Sequence, residues 1–186
     1  MNYNPWYVFS YEPMMNMADW QDFHADVEKK VVVIFSWMPQ TIMAIKHKGD
    51  KRKCEIYDNI ALSNAVGNSV KEFEAVKGGL LLEFDLDSNS RYILALCETL
   101  FPILGSVASS KYLHFSAPQL FPMWDRQLRL KEKLDDTAFG YIEYMRRFKK
   151  ELANPTNLEA ALAEYPTNAV RGWDIVRMKN RQAQDA

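Results

Sequence analysis

Residues 101–125 constrain this chain more than any other stretch. Phe101-Pro-Ile-Leu-Gly105 is followed by Ser-Val-Ala-Ser-Ser-Lys111-Tyr-Leu-His-Phe115, and after Pro118 comes Phe121-Pro-Met-Trp-Asp125. The pattern predicts a helix, a tight turn at Gly105, a second helix, and a rigid Phe-Pro segment that ends on one carboxylate. Pro102 is expected to end the first helix, and Gly105 to take a backbone conformation that a side chain would obstruct. The amides of Gly105, Ser106 and Val107 would then stand at the N-terminus of the second helix. Unpaired N–H groups and the helix dipole favour an anion there.

The rest of the chain reads as mostly helical. Met17, Trp20, Phe23 and Val27 recur at helical spacing over Met17–Lys30, with Asp19 and Asp22 in the first turn. Further helices are predicted over about 56–66, closed by Gly67, and over 70–76. Another carries Tyr92, Ile93, Leu96, Cys97 and Leu100 on one face, capped by Ser88 or Ser90. Beyond Asp125, helices are expected over about 123–134, 137–152 and 158–163, then a last one after Asn168. The runs at 31–36 and 80–86 are short and apolar, and periodicity leaves strand and buried helix open for both. Residues 1–15, broken by Pro5 and Pro13, read as an extended arm. The expected class is all-α, as one helical domain over 1–186 with at most a minor extended segment.

With 48% hydrophobic residues, the chain can bury a proper core. A formal net charge of −1 excludes attraction to nucleic acid by the whole-molecule field, so any such contact needs a local patch. From residue 111 onward there are 13 basic and 10 acidic residues, against 10 and 14 before it. The loop Lys46–Lys53 adds five cationic side chains and reads as a solvated turn or a phosphate-contacting loop. Cys54 and Cys97 are read as free thiols in a reducing cytoplasm, and no metal site, cofactor or membrane span is expected. His114, between apolar neighbours, is read as a hydrogen-bonded core histidine.

Phe101-Pro-Ile-Leu-Gly105 resembles the Leu-Pro-Gly-Val-Gly turn of helix–hairpin–helix DNA glycosylases, and Phe121-Pro-Met-Trp-Asp125 resembles the segment that carries their acid. Ser110-Lys-Tyr-Leu-His-Phe together with that segment is also similar to small bacterial proteins with an 8-oxoguanine glycosylase fold. The resemblance spans about 35 residues, with the hairpin motif over about 90–116 and the acid-bearing segment over 118–125. It implies a helical bundle that binds DNA and hydrolyses the N-glycosidic bond of a damaged or modified base flipped out of the helix. The result would be an abasic site, in repair or in defence against phage DNA. It implies Asp125 as the catalytic acid, a role compatible with capping a helix.

Two positions depart from the pattern. Ile103 replaces the first glycine, and Val107 stands where bifunctional members carry a lysine nucleophile. The chemistry implied is therefore monofunctional hydrolysis. Lys111, one helical turn after Val107, is read as a phosphate contact or a replacement amine, and no covalent intermediate is expected on it. The DNA contacts expected are Gly105, Ser106, Val107, Ser109, Arg126 and Arg129. Trp124 and Trp37, with Trp6, are candidate walls of the base pocket. Two rival readings stay open: a non-catalytic DNA-binding module, and a helical interaction protein with no nucleic-acid role.

Overall fold

The computed structural model describes residues 6–37 and 59–184. Among them the elements are eleven helices and no strand. The first three are α1 (Trp6–Phe9), α2 (Tyr11–Met15) and α3 (Val27–Trp37). After the segment that is not described come α4 (Asn59–Asn68), α5 (Val70–Glu74), α6 (Leu86–Leu104) and α7 (Ser106–Ser116). The chain continues with α8 (Arg126–Lys131), α9 (Ala138–Leu152), α10 (Pro155–Glu164) and α11 (Ala169–Gln184).

The longest helix, α6, is the hub. Its apolar stripe Ile93, Leu96, Cys97, Leu100 and Leu104 is fully buried. Against it pack α4, α5, α7 and α9, while α3 lies on α7 and α10 on α11. A leucine such as Leu96 or Leu100, removed to alanine from such a site, costs about 2–5 kcal/mol.

Side-chain caps set several of the helix starts. Asp85 accepts the Asp87 and Ser88 N–H groups at the start of α6. Thr137 caps α9, Asn154 caps α10, and Asn168 accepts the Arg171 N–H in α11. The cap of α6 is thus Asp85, not Ser88 or Ser90, and the Ser88 hydroxyl instead supports the Asp85 carboxylate at 2.6 Å. An acid accepts two amides at once, which a hydroxyl does poorly.

Three expectations are corrected. Of the helix expected over Met17–Lys30, only Val27–Lys30 are helical. Asp19 accepts the Gln21 and Asp22 N–H groups, and Asp22 accepts those of His24 and Ala25. These side chains offer the backbone a turn in place of a helix, and Asp26 at φ 51° completes it. The helix forms one step later, and the apolar run at 31–36 belongs to it. Residues 80–86 are turn and helix start, with Leu81 donating to the Gln119 carbonyl at 3.0 Å. Finally, Pro102 does not end α6, which runs on to Leu104. In the last turn the missing proline N–H removes only one bond, and the Gly105 N–H closes the end on the Phe101 carbonyl at 2.9 Å. The extended arm expected over residues 1–15 is also corrected: its described residues, from 6 onward, form the two short helices α1 and α2, while the basic loop at 46–53 lies outside the described residues. Among those described, no helix is long and apolar enough to cross a membrane.

Candidate active site

α6 and α7 meet at Gly105, whose φ of 77° and ψ of 156° belong to a region that only glycine occupies readily. One residue therefore reverses the chain between two helices, as the sequence pattern predicts. α7 carries Ser110, Lys111 and His114, and two of these hold the segment that follows.

Residues 121–124 are extended but have no neighbouring strand, so their carbonyls need donors from elsewhere. Side chains supply them. His114 Nδ1–H donates to the Phe121 carbonyl at 2.6 Å, the Tyr141 hydroxyl to Pro122 at 2.8 Å, and the Tyr144 hydroxyl to Met123 at 2.9 Å. The Ser110 hydroxyl accepts the Trp124 N–H at 3.1 Å and shares its proton between the Val107 and Trp124 carbonyls. The segment delivers Asp125 to the N-cap of α8, where its carboxylate accepts the Leu128 N–H at 2.7 Å. Asp125 is half-buried, so one side chain both starts a helix and stays within reach of the surface.

The protonation of His114 follows from its partners. A carbonyl only accepts, so Nδ1 carries the proton and Nε2 accepts the Tyr11 hydroxyl at 2.9 Å. Complete burial pushes its pKa down to about 3, and Arg171 and Lys111 act in the same direction. The ring is a neutral structural clamp, in agreement with the core reading of His114.

Lys111 is 4% exposed. Its ammonium lies 5.4 Å from the centre of the Trp37 ring, and no hydrogen-bond acceptor reaches it among the described residues. Burial pulls its pKa down; Asp125 and Asp174 pull it back up. The neighbouring guanidinium of Arg171 is fully buried and sits 4.5 Å from the rings of both Tyr7 and Tyr11. It donates to Asp174 at 2.7 Å and to the Tyr7 carbonyl at 2.9 Å, while its Nε finds no acceptor. The Tyr7 hydroxyl donates to the same Asp174 oxygen at 3.0 Å. Helices α1, α3, α7 and α11 thus enclose two cations, and Asp125 and Asp174 are the two carboxylates whose fields act on the lysine.

Of the residues singled out in the sequence, Lys111, Trp37 and Asp125 fall into this one neighbourhood. Trp124 is fully enclosed and stacks on Tyr141 at 5.3 Å, with its indole N–H unpartnered. The Trp6 side chain lies outside what is described. At the hairpin Gly105 is exposed and Ser106 and Val107 are partly so, but Ser109 is fully buried, behind the surface. Arg126 is exposed, and Arg129 lies 3.5 Å from Asp136. Asp136 also accepts the Ser106 hydroxyl at 2.5 Å, which brings an acid to the N-terminal end of α7. Several cations of the last third are engaged with acids: Arg146 with Asp87, Arg147 with Glu143, and Arg177 with Glu132 and Glu151.

Sequence reasoning missed Asp174 and Tyr7 and counted Arg171 only among the 13 basic residues from position 111 onward. The available signal was Arg171 and Asp174, three residues apart and interleaved with Val170, Trp173 and Ile175, where an apolar stripe leaves no room for unpaired charge. Cys97 is a buried free thiol, and Cys54 lies outside the described residues. Among the described residues no group of three or more His, Cys, Asp or Glu side chains is placed to hold a metal ion. No protein-family model matches the chain, and no curated protein or solved structure is significantly similar to it.

Proposed function

We propose that this protein is a monofunctional DNA glycosylase of the helix–hairpin–helix type, which hydrolyses the N-glycosidic bond of a damaged or modified base and leaves an abasic site. The observation that carries the reading is the Asp125 carboxylate, fixed on the N-cap of α8 at the end of a clamped segment that follows the Gly105 turn. The Lys111 ammonium, buried and without a hydrogen-bond acceptor among the described residues, lies within the field of that carboxylate. Breaking an N-glycosidic bond builds positive charge on the sugar and negative charge on the departing base. Asp125 stabilises the first and positions the attacking water; Lys111 faces the second. The target nucleotide leaves the stack to reach them. Repair and defence against phage DNA are both compatible with this chemistry.

Asp125→Asn tests it cleanly, because asparagine caps helices as well as aspartate and keeps the fold. Base release from genomic and phage DNA, followed by mass spectrometry of the freed bases, should vanish in the variant while DNA affinity stays within about twofold. Full activity in Asp125→Asn would end the mechanism. Binding by the parent protein without release of any base would leave a non-catalytic DNA-binding module.

A second reading is a helical interaction protein in which the hairpin only packs. One observation favours it: Asp136 holds Ser106 at the helix end where a phosphate would sit. A salt titration of DNA affinity separates the two, since phosphate contacts weaken as salt rises.

A further inference from the structure

Tyr7 lies face to face on Trp37, with ring centres 4.6 Å apart and planes within 4°. The other rings against Trp37 are tilted, Tyr11 by 52° and Phe115 by 50°. A parallel contact at this spacing is how a nucleobase lies on an aromatic wall. Around the Tyr7 ring stand a carboxylate that accepts the hydrogen bond of its hydroxyl, Asp174, and a guanidinium over its face, Arg171. One donor close by is without a partner, the Arg171 Nε–H. Tyrosine satisfies the carboxylate with its one O–H but leaves this donor unfilled. A heterocycle with both an N–H and a carbonyl or ring nitrogen can serve both kinds of group. The element that brings Tyr7 here is a single helical turn, α1, whose Phe9 is 73% exposed.

We propose that Trp37, Asp174 and Arg171 form a slot for a planar heterocycle carrying an N–H donor on its edge, and that the Tyr7 ring occupies this slot in the resting protein and leaves when the heterocycle enters. The assignment rests on the glycosylase reading for its use, as the place where a flipped base is held, but the slot itself is testable without DNA or turnover.

The probes are free uracil, 1,3-dimethyluracil, which has the same shape without N–H groups, and phenol. Binding to the full chain is followed by saturation-transfer NMR and tryptophan fluorescence. Uracil should bind the parent weakly and Tyr7→Ala about tenfold more tightly, because the variant no longer spends binding energy on displacing its own ring. Tyr7→Ala should prefer uracil to 1,3-dimethyluracil by about tenfold, the loss expected when a buried acceptor goes unpaired. Adding Trp37→Leu should abolish both effects. Equal affinity for phenol, uracil and dimethyluracil in Tyr7→Ala marks a plain apolar cavity and overturns the slot.

If Tyr7→Ala does not fold, Tyr7→Phe keeps the ring and frees Asp174. Uracil should then bind several-fold more tightly than to the parent, and an unchanged affinity overturns the proposal. Selective uracil binding with no base released from any DNA would sustain the slot and remove the glycosylase. Base release by the parent, with no selective binding in either variant, would do the reverse.

Discussion

The Ser110 hydroxyl accepts the Trp124 main-chain N–H at 3.1 Å, one residue before the acid. This bond ties the second helix of the hairpin to the segment that presents Asp125. Both groups are buried, so Ser110→Ala leaves an N–H with no partner. The expected loss is about 1–3 kcal/mol of stability by urea unfolding, with an unchanged denaturant slope. In the glycosylase reading the loosened acid also lowers the rate of base release about tenfold, more than it changes DNA affinity. Wild-type stability in Ser110→Ala would show that the segment is held without this bond.

His114 makes stability depend on acid. Its folded pKa, about 3, lies below the ordinary histidine value of about 6.5, so between these pH values the unfolded chain binds a proton that the folded one does not. Stability therefore falls as pH drops through 6.5 and levels off below about 3; above 6.5 the group contributes nothing. At pH 5 the loss relative to pH 7 is roughly 2 kcal/mol. Asparagine keeps a donor near the Nδ1 position and cannot charge. Denaturant unfolding at pH 7, 6 and 5 should show a shallower decline in His114→Asn, by about that amount. Parallel declines would mean that the imidazole is not held neutral.

Much of this architecture is legible in the sequence, for identifiable reasons. Helices α6, α7, α9 and α10 announce themselves through long apolar stripes and through Gly105, Thr137 and Asn154 at their ends, all local signals. The stretch 17–26 defeats periodicity because Asp19 and Asp22 turn the backbone on themselves. The partners of Arg171 are hidden for a different reason. Tyr7 and Arg171 meet across 164 positions of sequence, and no pattern within one element encodes that contact. Trp124 and Trp37 look alike as sequence features. Only tertiary packing distinguishes the first, sealed against Tyr141, from the second, which shares its faces with two cations and Tyr7.

Gly172 sits where α11 crosses α10. A Cβ there would lie 1.9 Å from the Ala161 carbonyl oxygen and 2.6 Å from its carbon, both backbone atoms. No rotamer change relieves such an overlap, so the helices would have to part. Gly172→Ala is expected to lose about 3 kcal/mol or more. Gly78 is the control: nothing lies within 4 Å of its would-be Cβ, so Gly78→Ala should be neutral or stabilise by up to about 1 kcal/mol. Melting temperatures of the two variants measured side by side check the contrast, and similar losses would contradict the close crossing.

Asp136 decides what the hairpin is for. Its carboxylate accepts the Ser106 hydroxyl and faces Arg129 at 3.5 Å, so it takes up a hydroxyl and a cation that the glycosylase reading would assign to DNA. Asp136→Asn keeps an acceptor for Ser106 but removes the charge. If the Gly105 turn grips a phosphate, DNA affinity at low salt should rise about tenfold. The slope of log affinity against log salt should also steepen by about one, because Arg129 becomes available to a phosphate. If the turn only packs α6 on α7, affinity and slope stay as they are, and the sole effect is the lost attraction between Asp136 and Arg129. Arg129 is partly buried and Asp136 is at the surface, and a single long pair of this kind contributes about 1 kcal/mol, so stability should fall by no more than about that. Fluorescence anisotropy with a short duplex at several salt concentrations separates the outcomes. An unchanged slope would remove the turn from the DNA interface and leave Arg126 to account for any binding that remains.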